Sequence, residues 1–183
     1  MLKRDIKTIR RLIPAALLCC FGIMLTGCFD DSDSVADKYK EWRTLNQNYF
    51  DSVENTGEYT RIVPDWAPGG YTLAKWHNDR TLTENNLSPM DNSVVNITYE
   101  LFDINGKRLS DSFARQDSVY SSRPNQNIIG VWAALTNMHV GDSVTLVIPS
   151  QAGYGEVERT GIPPYSTLIY NIKMKAIPAY EVP

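Results

Sequence analysis

Few side chains in this chain are able to carry chemistry. There are two histidines, His77 and His139, and three cysteines, Cys19, Cys20 and Cys28. No Gly-x-Ser-x-Gly elbow, phosphate-binding glycine loop or histidine-rich metal pattern is present. His77 follows Trp76 with no second ligand at a metal spacing, which makes it a surface or packing residue. His139, beside Val140-Gly141-Asp142, reads as an exposed turn residue. What remains is an aromatic and apolar set: Tyr99, Ile128, Ile129, Tyr154, the run Gly161-Ile162-Pro163-Pro164, and Tyr170. By residue type alone these are core aromatics and a rigid turn.

The elements that must position this set follow from periodicity. Val95, Ile97, Tyr99 and Leu101 alternate with polar residues as a strand does, and Asn105-Gly106 is a hairpin turn before a second strand over 107–113. Residues 129–138 suit a short helix carrying Trp132, Ala133, Ala134 and Leu135. Strands are expected over 144–148 and 167–177, separated by a Gly- and Pro-rich loop over 152–166. Upstream, Val35, Tyr39, Trp42, Leu45, Tyr49 and Val53 recur at helical steps, which predicts an amphipathic helix over 34–53 with Asp33 or Ser34 as N-cap. Residues 55–92 hold Pro64, Pro68, Gly69, Gly70 and Pro89 and read as an irregular arm with two short edge strands, 59–63 and 71–76. The whole predicts an α+β domain over 93–178 in which an antiparallel sheet covers a helix, preceded by a helical extension and arm over 34–92.

Three blocks within 93–178 now become specific. The first is Tyr99 with Asn105-Gly106-Lys107 and the following Asp111-Ser112. The second runs from Ile128 through Leu135 to Met138-His139-Val140-Gly141-Asp142. The third joins Ile148-Pro149-Ser150 and Tyr154-Gly155 to Ile162-Pro163-Pro164 and Tyr170. In this order they resemble an FKBP-type peptidyl-prolyl cis-trans isomerase. The resemblance implies a half-barrel sheet wrapped over the short helix. It implies a prolyl pocket of Tyr99, Ile128, Val131, Tyr154, Ile162 and Tyr170, with the Tyr154 hydroxyl and the Ile128 backbone meeting the substrate. Leu109, Asp111, Ile129 and Trp132 complete the implied substrate-binding set. The implied partners are proline-containing polypeptides and macrolide-type ligands, with no metal and no cofactor.

Two departures from the family pattern bear on turnover. The family's aromatic pocket floor follows a glycine, and here Val131 follows Gly130 while Trp132 comes one residue later. One residue on a helix turns a side chain by ~100°, so either a bulge brings Trp132 under the proline or Val131 is the floor. Likewise Ser110 falls where the family's pocket carboxylate lies, and Asp111 points the opposite way on a strand. These departures leave a second function open, that of a peptide-binding or chaperone lipoprotein with weak turnover. A third reading has the Trp- and Tyr-rich helix and arm hold a partner or glycan.

At the N-terminus, Lys3, Arg4, Lys7, Arg10 and Arg11 precede an apolar run over 12–25 that ends at Leu25-Thr26-Gly27-Cys28. This is a signal peptide over 1–27, too short an apolar run for a comfortable bilayer span of ~20 residues. Leu-Thr-Gly-Cys resembles a bacterial lipobox, which implies that Cys28 is lipidated and anchors the protein in the cell envelope, at the periplasmic face of the outer membrane or at the cell surface. The tether over 28–33 is acidic, like the export signal of Bacteroidetes lipoproteins. Cys19 and Cys20 leave with the signal, so no thiol chemistry is expected of the remaining ~155 residues. Removing the basic signal takes the formal charge from −3 to about −7, which argues against nucleic acid as a partner.

Overall fold

The computed structural model describes residues 34–115 and 117–180. The expected signal, the expected lipidation site at Cys28 and the acidic tether lie outside these residues. The described residues form one compact unit.

Helix α1 spans Val35–Lys38 and is capped by Ser34, whose hydroxyl accepts from the Asp37 N–H at 3.2 Å. Helix α2, Lys40–Glu54, follows after a break at Tyr39. Its buried residues are Asn46 and Phe50, flanked by the half-buried Trp42, Tyr49 and Val53. The apolar stripe expected from spacing is therefore displaced. Leu45 is 57% exposed and Val35 49%, whereas Asn46, a polar residue, is almost fully enclosed. Asn46 tolerates burial because its polar atoms are paired: its side-chain oxygen accepts from the Thr167 N–H at 2.7 Å and its amide donates to the Trp42 carbonyl at 2.8 Å.

Seven strands make one antiparallel sheet: β1 (Thr60–Ile62), β2 (Thr72–Trp76), β3 (Val94–Phe102), β4 (Arg108–Asp111), β5 (Tyr120–Ser122), β6 (Ser143–Ile148) and β7 (Leu168–Ala179). Their order is β1-β2-β6-β7-β3-β4, with β5 also paired to β3. β5 takes the Val95–Ile97 half of the β3 edge and β4 the Glu100–Phe102 half. The arm is less peripheral than its Pro and Gly content predicts. β2 is an internal strand, bonded to β1 on one side and to β6 on the other, not an edge.

Helix α3 (Ile129–Leu135) lies on one face of this sheet. Val131, Ala134 and Leu135 pack there against Ile97, Leu146, Ile148 and Met174. Gly130 is required for the approach, because a methyl group at its Cα would come within 2.5 Å of Ile148 Cγ2. Strand alternation sends Leu73 of β2 and Val147 of β6 to the opposite face, where they meet Phe50 of α2. The sheet is thus covered by α3 on one side and by the extension helix on part of the other.

The remainder of the arm is tied down at Asp142, whose side chain is fully buried. Asp142 accepts from the Asn78 amide at 2.9 Å, the Thr83 hydroxyl at 2.5 Å and the His139 backbone N–H at 2.9 Å, and the Arg80 guanidinium stands 3.4 Å away. Burial by itself raises this carboxyl's pKa, but the Thr83, His139 and Asn78 hydrogen bonds together with Arg80 outweigh it and hold it below the ordinary value. His139 belongs to this cluster, with Nδ1 3.7 Å from Asp142, and is only 25% exposed instead of standing free on a turn. His77 is exposed, its Nε2 2.7 Å from the Thr145 hydroxyl.

Candidate active site

The predicted aromatic set converges on one cleft of about 580 Å³. β3 supplies Tyr99, β4 supplies Leu109 and Ser110, and β7 supplies Tyr170. Ile128 stands at the entry of α3 and Val131 one turn inside it. Tyr154 and Ile162 come from the loop between β6 and β7. That loop closes on itself: Arg159 and Ile162 exchange both backbone hydrogen bonds, and the Tyr165 N–H donates to the Gly155 carbonyl at 2.7 Å.

The walls are phenolic. The Tyr99 ring meets Tyr120 edge-on at 5.5 Å and Tyr170 at 5.9 Å. The Tyr99 hydroxyl shares a hydrogen bond with the Ser110 hydroxyl at 3.0 Å. Burial, then the neighbouring Tyr154 hydroxyl, push the Tyr170 pKa far above the ordinary tyrosine value, so Tyr170 stays protonated. The charge at the rim is Arg159, whose guanidinium lies 5.5 Å from the Tyr154 ring centroid. No histidine and no carboxylate is among the lining residues. Such a site has no base or nucleophile to offer. It offers aliphatic and phenolic walls interspersed with hydroxyl and amide groups.

Three residues implied by the resemblance do not line the cleft. Trp132 turns away from it: its indole N–H donates to Asp91 at 2.5 Å and its ring stacks on Trp66 at 3.9 Å. Val131, 3% exposed, lines the cleft where Trp132 does not, because α3 carries no bulge to rotate the next residue inward. Asp111 also faces away, accepting from the Phe113 and Ala114 N–H groups at 2.8 and 3.2 Å, with Arg108 3.5 Å off. Strand alternation therefore leaves Ser110 facing the cleft. Ile129 packs toward the arm, where a methyl group on Gly70 would come within 2.8 Å of its Cγ2. Sequence reasoning missed Tyr120, Gln126, Asn127, Arg159 and Thr160, which also line the cleft. Tyr120 sits on a strand of three residues, too short to show periodicity.

An open antiparallel sheet over a short helix, with a phenol-walled cleft between them, is an FKBP-like α+β fold. Residues 86–175 match the family model of the FKBP-type peptidyl-prolyl cis-trans isomerases, and this stretch of the chain belongs to that family. The FKBP-type peptidyl-prolyl cis-trans isomerase FkpA of Escherichia coli K12 is 33% identical over 87 residues, 48% of this chain and 32% of the relative. FkpA of Buchnera aphidicola is 34% identical over 84 residues, 46% of this chain and 34% of the relative. The match therefore spans about a third of each relative's length. Among solved structures, E. coli FkpA superposes with a TM-score of 0.63 at 21% identity, covering 79% of this chain and 64% of that one. A peptidyl-prolyl cis-trans isomerase from Pseudomonas syringae pv. tomato gives 0.60 at 23% identity, covering 75% of this chain and 94% of its own. The structural likeness reaches beyond the segment that sequence comparison aligns, 79% of the chain against 48%.

Proposed function

We propose that the chain is a peptidyl-prolyl cis-trans isomerase of the cell envelope, acting on proline-containing segments of other polypeptides. The observation that carries this reading is the convergence of Tyr99, Ile128, Val131, Tyr154, Ile162 and Tyr170 on one cleft within the family-matched stretch. Rotation about an X-Pro bond is opposed by ~18–20 kcal/mol of lost amide resonance. The twisted amide has a less polar carbonyl than the planar one, so the aliphatic and phenolic wall around Val131, Tyr99 and Tyr170 favours the twisted state. That preference is what accelerates rotation. The Val131 side chain seats the prolyl ring between Tyr99 and Tyr170. The Tyr154 hydroxyl and the Ile128 N–H hold the flanking backbone. That N–H is unused by α3, whose first helical bond runs from the Trp132 N–H to the Ile128 carbonyl.

In the same reading Cys28 carries the lipid that holds the domain at the outer membrane, and the cleft also admits macrolide-type ligands. Mixing a proline-containing peptide with the full chain is expected to shorten the uncatalysed relaxation of ~10–100 s. Unchanged relaxation overturns the proposal.

Val131 and Ser110 favour one other reading, that of a peptide-holding domain with slow turnover. It rests on a floor that is aliphatic and on a wall that lacks a carboxylate. Peptide binding that persists without acceleration is its signature.

A further inference from the structure

Helix α2 precedes the family-matched stretch, yet three of its side chains grip the segment that closes the cleft loop. Asn46, 1% exposed, accepts the Thr167 N–H at 2.7 Å, and its own carbonyl accepts the Thr167 hydroxyl at 3.1 Å. One turn earlier, the Trp42 indole N–H donates to the Ser166 hydroxyl at 3.1 Å, and that hydroxyl donates on to the Pro163 carbonyl at 2.7 Å. The Arg43 guanidinium lies 5.1 Å from the ring centroid of Tyr165.

Tyr165 is the point at which the loop needs outside support. Its φ is +62°, in the left-handed region that a bulky side chain rarely adopts. Such a conformation persists only where the surroundings over-determine it. Here the surroundings are the burial of the ring, the Gly155 carbonyl that accepts its N–H, and α2 on the two residues that follow it, Ser166 and Thr167. Residues 154–165 carry Tyr154, Arg159, Thr160 and Ile162 into the cleft, so one end of that wall is fastened to a helix outside the minimal domain.

We propose that α2 is a brace for the substrate cleft, with Asn46 and Trp42 as positioning residues for Tyr154 and Ile162. The inference rests on the isomerase reading for its kinetic consequence, though not for its structural one. A braced loop keeps the cleft formed before substrate arrives. Releasing it leaves a fraction of molecules competent to bind, which weakens apparent affinity in proportion and spares turnover at saturation.

The test compares Asn46→Ala with Thr83→Ala in the full chain. Thr83→Ala removes the hydroxyl that bonds Asp142, the Asn78 amide and the Arg80 carbonyl, and serves as a control for general loosening. Two quantities are read: KM and kcat for a proline-containing tetrapeptide, and hydrogen exchange at the Ile162 and Tyr165 amides. Asn46→Ala is expected to raise KM by about three- to tenfold with kcat within about twofold, and to speed exchange at both amides by about tenfold. Thr83→Ala is expected to move none of these. Trp42→Phe, which keeps an aromatic ring and removes the donor, carries the same expectations at smaller amplitude if Asn46→Ala fails to fold. Equal loop exchange in the two variants, or a loss confined to kcat, overturns the brace. If the unaltered chain does not turn the peptide over, the isomerase reading fails instead, and loop exchange alone decides the brace.

Discussion

A single residue of offset decides what the cleft is made of. Val131 and Trp132 are adjacent, and the helical turn between them sends one beneath the phenols and the other to a stack with Trp66. Ser110 and Asp111 differ in the same way through strand alternation. Tyr154→Phe removes a hydroxyl worth about 0.5–1.5 kcal/mol, so kcat/KM is expected to fall about two- to tenfold. Trp132→Phe is expected to leave kcat/KM unchanged in the same peptide assay, because that ring lies outside the cleft. The residue types were recognisable from sequence, and so were seven of the lining residues. Which of two neighbours faces inward was not, since an alignment fixes position along the chain and not rotation about an element's axis.

At the scale of elements, the arm illustrates how composition misleads. Its Pro and Gly residues predict an irregular edge, yet β2 finds a partner on each side and the stretch beyond it is fastened to Asp142. The pH dependence of that fastening has a definite sign. A carboxyl whose folded pKa lies below its unfolded value contributes stability above the unfolded value, and the contribution is lost as pH falls through the folded one. Asp142 is such a group. Asp142→Asn is expected to lower the melting temperature at neutral pH, by the equivalent of about 1–3 kcal/mol for a broken buried network. The gap to the unaltered chain should shrink as pH drops below about 4. Melting curves at several pH values check this, and a constant gap would remove Asp142 from the account. The α2 helix was legible as a helix, and so was part of its packing face through Trp42, Tyr49 and Val53, whereas the buried Asn46 was not. A search for apolar residues passes over Asn46, whose burial depends on Thr167, 121 residues away.

At the scale of the whole molecule, the extension and the family-matched stretch share one sheet, with Ile62 and Ala74 in the core beneath α3 and Phe50 and Leu73 packed on the other face. Deleting 34–92 takes away β1 and β2, leaves the β6 edge unpaired and uncovers Val147. That deletion is expected to abolish cooperative urea unfolding, and a folded, soluble remnant would contradict it. Phe50→Ala, confined to the α2 contact, is expected to cost about 3–5 kcal/mol in the same assay.

The sequence by itself determined the α+β class, the later strands and the short helix, and its motifs pointed to seven of the residues that line the cleft. These depend on local periodicity, on turn chemistry and on ordered motifs, all of which are written along the chain. Only the tertiary structure decided that Val131 and not Trp132 lines the cleft, that β2 is internal, and that α2 bonds the segment where the cleft loop ends. Each of these depends on which surfaces meet across the fold, and hydrogen bonds between residues a hundred positions apart leave no periodic trace at either end.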